Sequence, residues 1–491
     1  MVKSEFTSLS RNAEHMSVGS NCPSWNRHAT SAVQTRLYHS TGSTPAEDDR
    51  ISAPRAAKAV GLLPTYLADA RAVEQYSLST PNGALQLSVA ENQLLEDLLV
   101  PSLTEFSSTL AFPADAIYYQ PTQGRESFRK AMAAYLEDML KLSKPMDADG
   151  IVVGAGCNAV LENLCISLAE PGEGVMIPTP YYAAFEFDLV ARAGLSISPV
   201  TTMEYQDFDR ESNIIPHEAY YPNRASLDAA VKMSLANGVN PRILLLSHPQ
   251  NPLGICYPPE VVSEIIDWCR EKKIHLITDE IYAGSVYRDD ANFVSVLELA
   301  STGDGEALGL GPYIHLVYAL SKDFALSGLR VGALYSENPK IRVPLQKLND
   351  LCCISSHTQL LVEKMLTTAS DDPNVSWTQG FRATSHERLR KRGDAWHSTL
   401  DELGIPYLKG TAGLFVWMDF QEFLPAMGSD DERERKLYLE LLKEFGLLFT
   451  PGSSMKNEKP GFFRCVFTAA SNEEFDLGMK RLKKYVHAKR S

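Results

Sequence analysis

The sequence has no run of about 18 or more apolar residues, and that absence excludes a helix that crosses a bilayer. Its first residues also lack the apolar stretch of a secretory signal. Basic charge falls short of acidic: 47 Lys and Arg stand against 61 Asp and Glu, a net charge of -14, which argues against nucleic acid or an anionic membrane as the main partner. Paired cysteine spacing is missing too. Cys22, Cys157, Cys165, Cys256, Cys269, Cys352, Cys353 and Cys465 are scattered, which fits neither a zinc site nor a small disulfide scaffold. They read as reduced thiols of an intracellular protein, and no metal is expected. No internal repeat is visible.

What is present is ordinary for a soluble globular protein. The 491 residues, 44% hydrophobic and 22% charged, suffice for a sizeable core and more than one lobe. From Met1 to about Ala46 the chain is rich in Ser, Thr, Asn, Arg and His, with Glu5 and Glu14 as its acids. Residues 1–60 therefore read as a disordered or targeting tail. Arg11, Arg27 and Arg36 leave an organelle transit peptide open, with Arg36-Leu37-Tyr38 as a processing site; without one, the location expected is cytoplasmic.

Beyond the tail, short β-rich runs at 175–178, 242–247, 275–278, 315–319 and 331–335 alternate with amphipathic helices such as 159–169 and 259–272. Strand–helix–strand repetition predicts an α/β fold whose mostly parallel central sheet has helices on both faces. From about residue 341 the pattern shifts to two long helical stretches, 343–368 and 376–403, a strand-like run at 414–420 and a last helix at 472–490. This predicts a large domain over 105–345 and a smaller α+β domain over 346–491. Residues 61–104 form an arm packing with the smaller domain. Two polar stretches, 202–224 and 301–311, read as surface insertions.

Ligands of open parallel sheets bind beyond the carboxyl ends of the strands, and ionisable residues gather at those ends here. Asn251 follows one strand in HPQNPLG. Asp279 and Tyr282 follow another in DEIYAG. Lys322 follows a third in SKDFALSGLRVG, with Arg330 shortly after. Each has a bland counterpart: a lone lysine is usually solvated, Asp-Glu can cap a helix, and Asn-Pro is a common turn. Their convergence on one rim is the informative feature.

These three segments resemble the signature blocks of fold-type I, class I/II aminotransferases, which use pyridoxal 5'-phosphate. Within that superfamily SVAENQL at 88–94 and PTPYYAAFEFDL at 178–189 are similar to blocks of 1-aminocyclopropane-1-carboxylate synthase and its relatives; Ser88 and Val89 stand where that family has Gly and Leu. The resemblance runs from about Leu85 to the C-terminus. It implies that Lys322 holds the cofactor as an imine and then shuttles the substrate's α-proton. Asp279 would pair with the pyridine nitrogen, Asn251 and Tyr282 with the ring oxygen, and Tyr181 would stack on the ring. Gly156, Cys157 and Asn158 at a helix start, with Ser321 and Arg330, would hold the phosphate. Tyr119, in YQPTQG, resembles a tyrosine that reaches the neighbouring subunit's phosphate, which implies a homodimer with active sites at its interface. Arg464, in GFFRCVF, would fork onto the substrate α-carboxylate, and Glu91 would line the same pocket or cap a hinge. Ala319 stands where the family usually has a hydroxyl, so one phosphate bond worth about 1 kcal/mol is missing and looser cofactor binding is expected.

The implied enzyme acts on an α-amino acid. Two outcomes stay open: cleavage of a C–S bond in a sulfur-containing amino acid by a lyase or synthase, and transfer of the amino group to a 2-oxo acid. Core motifs common to both cannot separate them. A non-catalytic cofactor-binding regulator is the remote alternative; the acidic chain and its irregular N-terminal stretch give it little support.

Overall fold

A computed structural model describes residues 53–202, 213–302, 307–370, 372 and 374–491. The expectations for residues 1–52, the processing site included, fall outside the described residues, as do 203–212 and 303–306 of the two expected insertions. Residues Arg55–Ser491 form one compact unit.

Seven strands build its main sheet: β1 (Ile151–Ala155), β2 (Gly174–Pro178), β3 (Ser196–Val200), β4 (Pro241–Ser247), β5 (His275–Asp279), β6 (Ile314–Ala319) and β7 (Val331–Tyr335). Their order across the sheet is β1-β7-β6-β5-β4-β2-β3. All neighbours are parallel except β7, which runs antiparallel to both β1 and β6. The sheet is buried on both faces, so its strands are apolar at nearly every position rather than alternating with polar residues. Val152, Val175, Ile243, Leu245, Ile277 and Val317 face a layer built on helix Cys157–Leu168. The intervening Val153, Met176, Leu244, Leu246, Leu276 and Leu316 face helices Glu126–Leu140 and Pro259–Lys272.

Topology decides where the polar residues emerge. Ser247, Asp279 and Val317 are register partners on β4, β5 and β6, so these carboxyl ends lie level. Because β7 is reversed, its first residues meet the last residues of its neighbours: Gly332 pairs with Ala319, and Val331 with Ala155. Arg330, just before β7, thereby joins the same edge as Gly156 and Lys322.

A second sheet contains β8 (Phe415–Asp419) and β9 (Phe462–Val466), with Thr450–Pro451, Tyr407–Leu408 and Ile214–Ile215 on its flanks. Residues of helices Trp377–Leu403, Asp430–Glu444 and Asn472–Arg490 share its apolar core. The segment ahead of residue 95 is stitched to this sheet and the chain beside it: Val466 N–H donates to Leu87 O, Leu87 N–H to Leu448 O, and Gln93 N–H to Thr468 O, while Leu85–Gln86 pairs parallel with Leu447–Leu448.

Two expectations are corrected. The helical stretch read as continuous over 343–368 is two helices, Pro339–Leu348 and Ser356–Thr367, around a 3-10 turn Asn349–Cys352. The Asn349 amide donates to Val153 O at 2.8 Å, and Ser355 Oγ accepts from Thr358 N at 3.1 Å as the new N-cap. Periodicity alone does not reveal such a side-chain tie. The stretch read as an insertion over 202–224 supplies Ile214–Ile215, which pairs parallel with Tyr407–Leu408 and buries Ile215.

Trp396 is fully buried against Phe449 and Phe475. Trp396→Ala should therefore lower stability by about 3–5 kcal/mol, read as an earlier denaturant midpoint. A loss below about 1 kcal/mol would contradict the packing described.

Candidate active site

The rim is built from backbone breaks. Strand β6 ends at Ala319 and turns at once into Leu320–Asp323, which carries Ser321 and Lys322. The Lys322 amine donates to Ala90 O at 2.6 Å, so the arm ahead of Leu95 reaches the rim. Burial pushes that amine below the usual lysine range, against the pull of the Glu91 carboxylate. Glu91 in turn accepts from Ser327 Oγ at 3.0 and 2.9 Å.

Asp279 closes β5 and is buried; burial pushes its carboxyl up to about 7. Its Oδ1 accepts from Ile281 N at 3.3 Å, and the Cys157 thiol lies 3.9 Å away. Tyr282, three residues on, is buried edge-on to Phe415, with ring centroids 5.3 Å apart. Burial raises its hydroxyl above the usual tyrosine range.

Arg464 comes from β9 of the other sheet and is 3% exposed. Its Nη1 donates to Asn251 Oδ1 at 2.8 Å and its Nη2 to Ser88 O at 2.6 Å. Its Nε has no partner, and among the described residues no carboxylate forms an ion pair with it. A buried cation without an anion is costly, so the site calls for an anionic group.

A second cationic corner lies at the start of helix Cys157–Leu168. Gly156 caps this helix at φ +92, and a Cβ there would sit 2.3 Å from Arg330 Nη2. Glycine at 156 therefore leaves the room that the guanidinium occupies beside the turn into this helix. Among the described residues Arg330 donates to the carbonyls of Ser327 and Ala155. Asn158 donates instead to Asp188 Oδ2 at 2.8 Å, and burial pushes Asp188 up to about 6.

Most of the expected residues thus come together. Lys322 lies within electrostatic reach of Glu91, Arg464, Cys157 and Arg330, and Asp279 of Cys157 and Lys322. Two do not join them. Tyr119 is wholly exposed on this single chain. Tyr181 is turned away: its N–H donates to Met455 O and its hydroxyl to Glu186 Oε1 at 2.7 Å. Its neighbour Tyr182 instead lies within electrostatic reach of Arg464, Cys157 and Tyr282. Adjacent tyrosines in a turn give no sequence signal as to which one faces inward. The tie between Asn251 and Arg464, 213 residues apart, was equally invisible.

The donor set suits a phosphorylated, aldehyde-bearing aromatic cofactor. It offers a half-buried amine, a buried carboxylate for a ring nitrogen, a helix start with a guanidinium for the phosphate, and an unpaired guanidinium for a carboxylate. Pyridoxal 5'-phosphate meets the first three, and the carboxylate of an α-amino acid meets the fourth.

Comparison with known proteins agrees. Residues 84–482 match the family described as aminotransferase class I and II. The chain is 34% identical over 420 residues to 1-aminocyclopropane-1-carboxylate synthase 5 of Oryza sativa subsp. japonica, covering 84% of this chain and 75% of that one. It is 34% identical over 412 residues to 1-aminocyclopropane-1-carboxylate synthase 11 of Arabidopsis thaliana, covering 82% and 84%. Its fold resembles the solved structures of an aspartate aminotransferase from Thermotoga maritima (TM-score 0.66, 20% identity, 89% and 100% covered) and an aromatic aminotransferase from Pyrococcus horikoshii OT3 (TM-score 0.66, 21% identity, 83% and 96% covered).

The buried carboxyl of Asp279 makes a signed expectation. Its folded value, about 7, is above the unfolded one, so its contribution to stability is present in acid and is lost as pH rises towards 7. In cofactor-free protein, the melting temperature of Asp279→Asn minus that of wild type should grow between pH 5 and 8. A constant difference would contradict the burial of this charge.

Proposed function

The chain belongs to the class I and II aminotransferases, enzymes that use pyridoxal 5'-phosphate, and from that premise we propose that it cleaves a C–S bond in a sulfur-containing α-amino acid, as a lyase or synthase. The observation that carries the amino-acid half of this reading is the buried, anion-less guanidinium of Arg464 facing the same rim as Lys322. The sulfur half is supported by the printed names of the relatives at 34% identity, which are 1-aminocyclopropane-1-carboxylate synthases. The ENQL segment bears on it as well, because Glu91 is held by Ser327 beside the lysine.

Each residue then has a task. Lys322 anchors the cofactor and, once displaced, moves the substrate's α-proton on Nζ; a lowered lysine value suits a group that must shed a proton near neutrality. Asp279 holds a proton on the ring nitrogen. Asn251 and Tyr282 donate to the ring oxygen, and Tyr182, rather than the expected Tyr181, covers the ring. Backbone N–H groups of Cys157 and Asn158, the Ser321 hydroxyl and the Arg330 guanidinium hold the phosphate. Arg464 exchanges part of its present hydrogen bonding for the substrate carboxylate, which orients the α-carbon. When bound, the cofactor supplies an electron sink for the pair left as a bond to that carbon breaks.

The active unit we infer is a homodimer. Tyr119 is fully exposed together with Ile117 and Tyr118, an apolar group that a second copy would cover while bringing this tyrosine to its own phosphate site.

Lys322→Ala should lose activity by about a thousandfold or more, and Arg464→Ala should lose about a hundredfold in kcat/KM, chiefly through KM. Retained turnover in Lys322→Ala would refute the assignment. Wild-type protein incubated with S-adenosylmethionine, cysteine conjugates and common amino acids should release a thioether or thiol from one of them. Amino-group transfer to a 2-oxo acid without sulfur release would replace this reading with that of a transaminase.

A further inference from the structure

One buried carboxylate beside the catalytic lysine has no task in that scheme. Asp323 follows Lys322, is 6% exposed, and accepts three hydrogen bonds. Its Oδ2 accepts from Gly284 N at 2.8 Å and from Tyr318 Oη at 3.0 Å, and its Oδ1 accepts from Ser285 Oγ at 2.6 Å. Tyr318 Oη is 3.0 Å from Tyr135 Oη, which continues the network into helix Glu126–Leu140. The donors on Gly284 and Ser285 lie in the segment that begins with Asp279 and Tyr282. A Cβ on Gly284 would come within 2.6 Å of Asp323 Oδ2, so this contact exists only because residue 284 is glycine.

The geometry points to a positioning role: we propose that Asp323 fastens the short turn carrying Lys322 to the segment carrying Asp279 and Tyr282, fixing the amine relative to the carboxylate that faces the cofactor ring. The Lys322 amine reaches Ala90 O, whereas the Asp323 carboxylate reaches Gly284 and Ser285, so the two side chains of one turn are held from different directions. Asp323 therefore acts through the backbone. Its carboxylate oxygens are taken by Gly284, Ser285 and Tyr318, and the amine's hydrogen bond goes to Ala90 O instead. The titratable and charged groups around Asp323 itself are Tyr318, Tyr135, Tyr282 and, on helix Trp377–Leu403, Arg382. The role deepens the reading of Lys322 as the cofactor's anchor and rests on it.

Bond geometry, not charge, is the claimed agent, and chemistry separates the two. In Asp323→Asn the carbonyl oxygen can still accept from Gly284 and Tyr318, while the new amide donates to Ser285, whose hydroxyl can turn. Asp323→Ala leaves all three buried donors without a partner. The test compares wild type, D323N and D323A, each saturated with pyridoxal phosphate. It reads the pH midpoint of the bound cofactor's absorbance and, by equilibrium dialysis, its dissociation constant. D323A should move the midpoint by about one unit and weaken cofactor binding about tenfold or more, while D323N stays near wild type in both.

A D323A protein with wild-type midpoint and affinity would overturn the proposal, even if it melts earlier. So would a D323N protein that matches D323A. If D323A does not fold, the double variant S285A/Y318F removes two donors and keeps the carboxylate; it should show the same shifts, smaller, and unchanged values would again overturn the proposal. A wild-type chain that binds no cofactor would refute the reading of Lys322 as well; one that binds it while D323A is unaltered would refute this inference alone.

Discussion

The site depends on a buried guanidinium that the protein does not neutralise. Arg464 is donated by the smaller sheet, bonds Asn251 beyond β4 of the larger one, and bonds Ser88 of the arm. Three chain regions are thereby drawn to one point by a group that still has an orphaned Nε. Leaving a cation in such a place destabilises the ligand-free protein, and the stabilisation returns when an anion arrives. At Arg330 a second guanidinium is exposed rather than buried, and among the described residues its hydrogen bonds go to carbonyls. In the proposed reading the two corners divide the work between a phosphate and a carboxylate, with the amine and the Asp279 carboxyl serving the cofactor ring.

That division follows from topology. A wholly parallel sheet would send the residue before β7 to the opposite edge from Asn251, Asp279 and Lys322. Reversing β7 brings Arg330 to the carboxyl edge, against the helix start at Gly156. The arm then supplies backbone rather than side-chain function at two places, Ala90 O for the lysine and Ser88 O for the arginine. Closing the rim with carbonyls keeps both cations oriented while leaving their remaining donors for ligand.

Much of this was legible in the sequence. The strands were marked by β-branched apolar runs, and the chemistry by polar residues that end those runs, because a parallel sheet leaves few other places for them. What escaped was set by long-range contact. Asn349 breaks a periodic helix because its amide finds Val153 O, and Ile214–Ile215 becomes a strand because Tyr407–Leu408 offers an edge. Tyr181 and Tyr182 are chemically identical neighbours; it is Tyr181 whose N–H and hydroxyl are tied to Met455 O and Glu186. Asp323 sat inside a recognised motif, yet its partners Gly284 and Ser285 lie 39 and 38 residues away.

The central claim is that one amine, among all the lysines of the chain, forms the covalent attachment to pyridoxal phosphate. Borohydride reduction of the cofactor-loaded protein, followed by peptide mass mapping, tests it without any assumption about substrate. The account predicts a pyridoxyl group on the peptide that contains Lys322 and on no other. A label on a different lysine, or none from a protein that holds the cofactor, would contradict it.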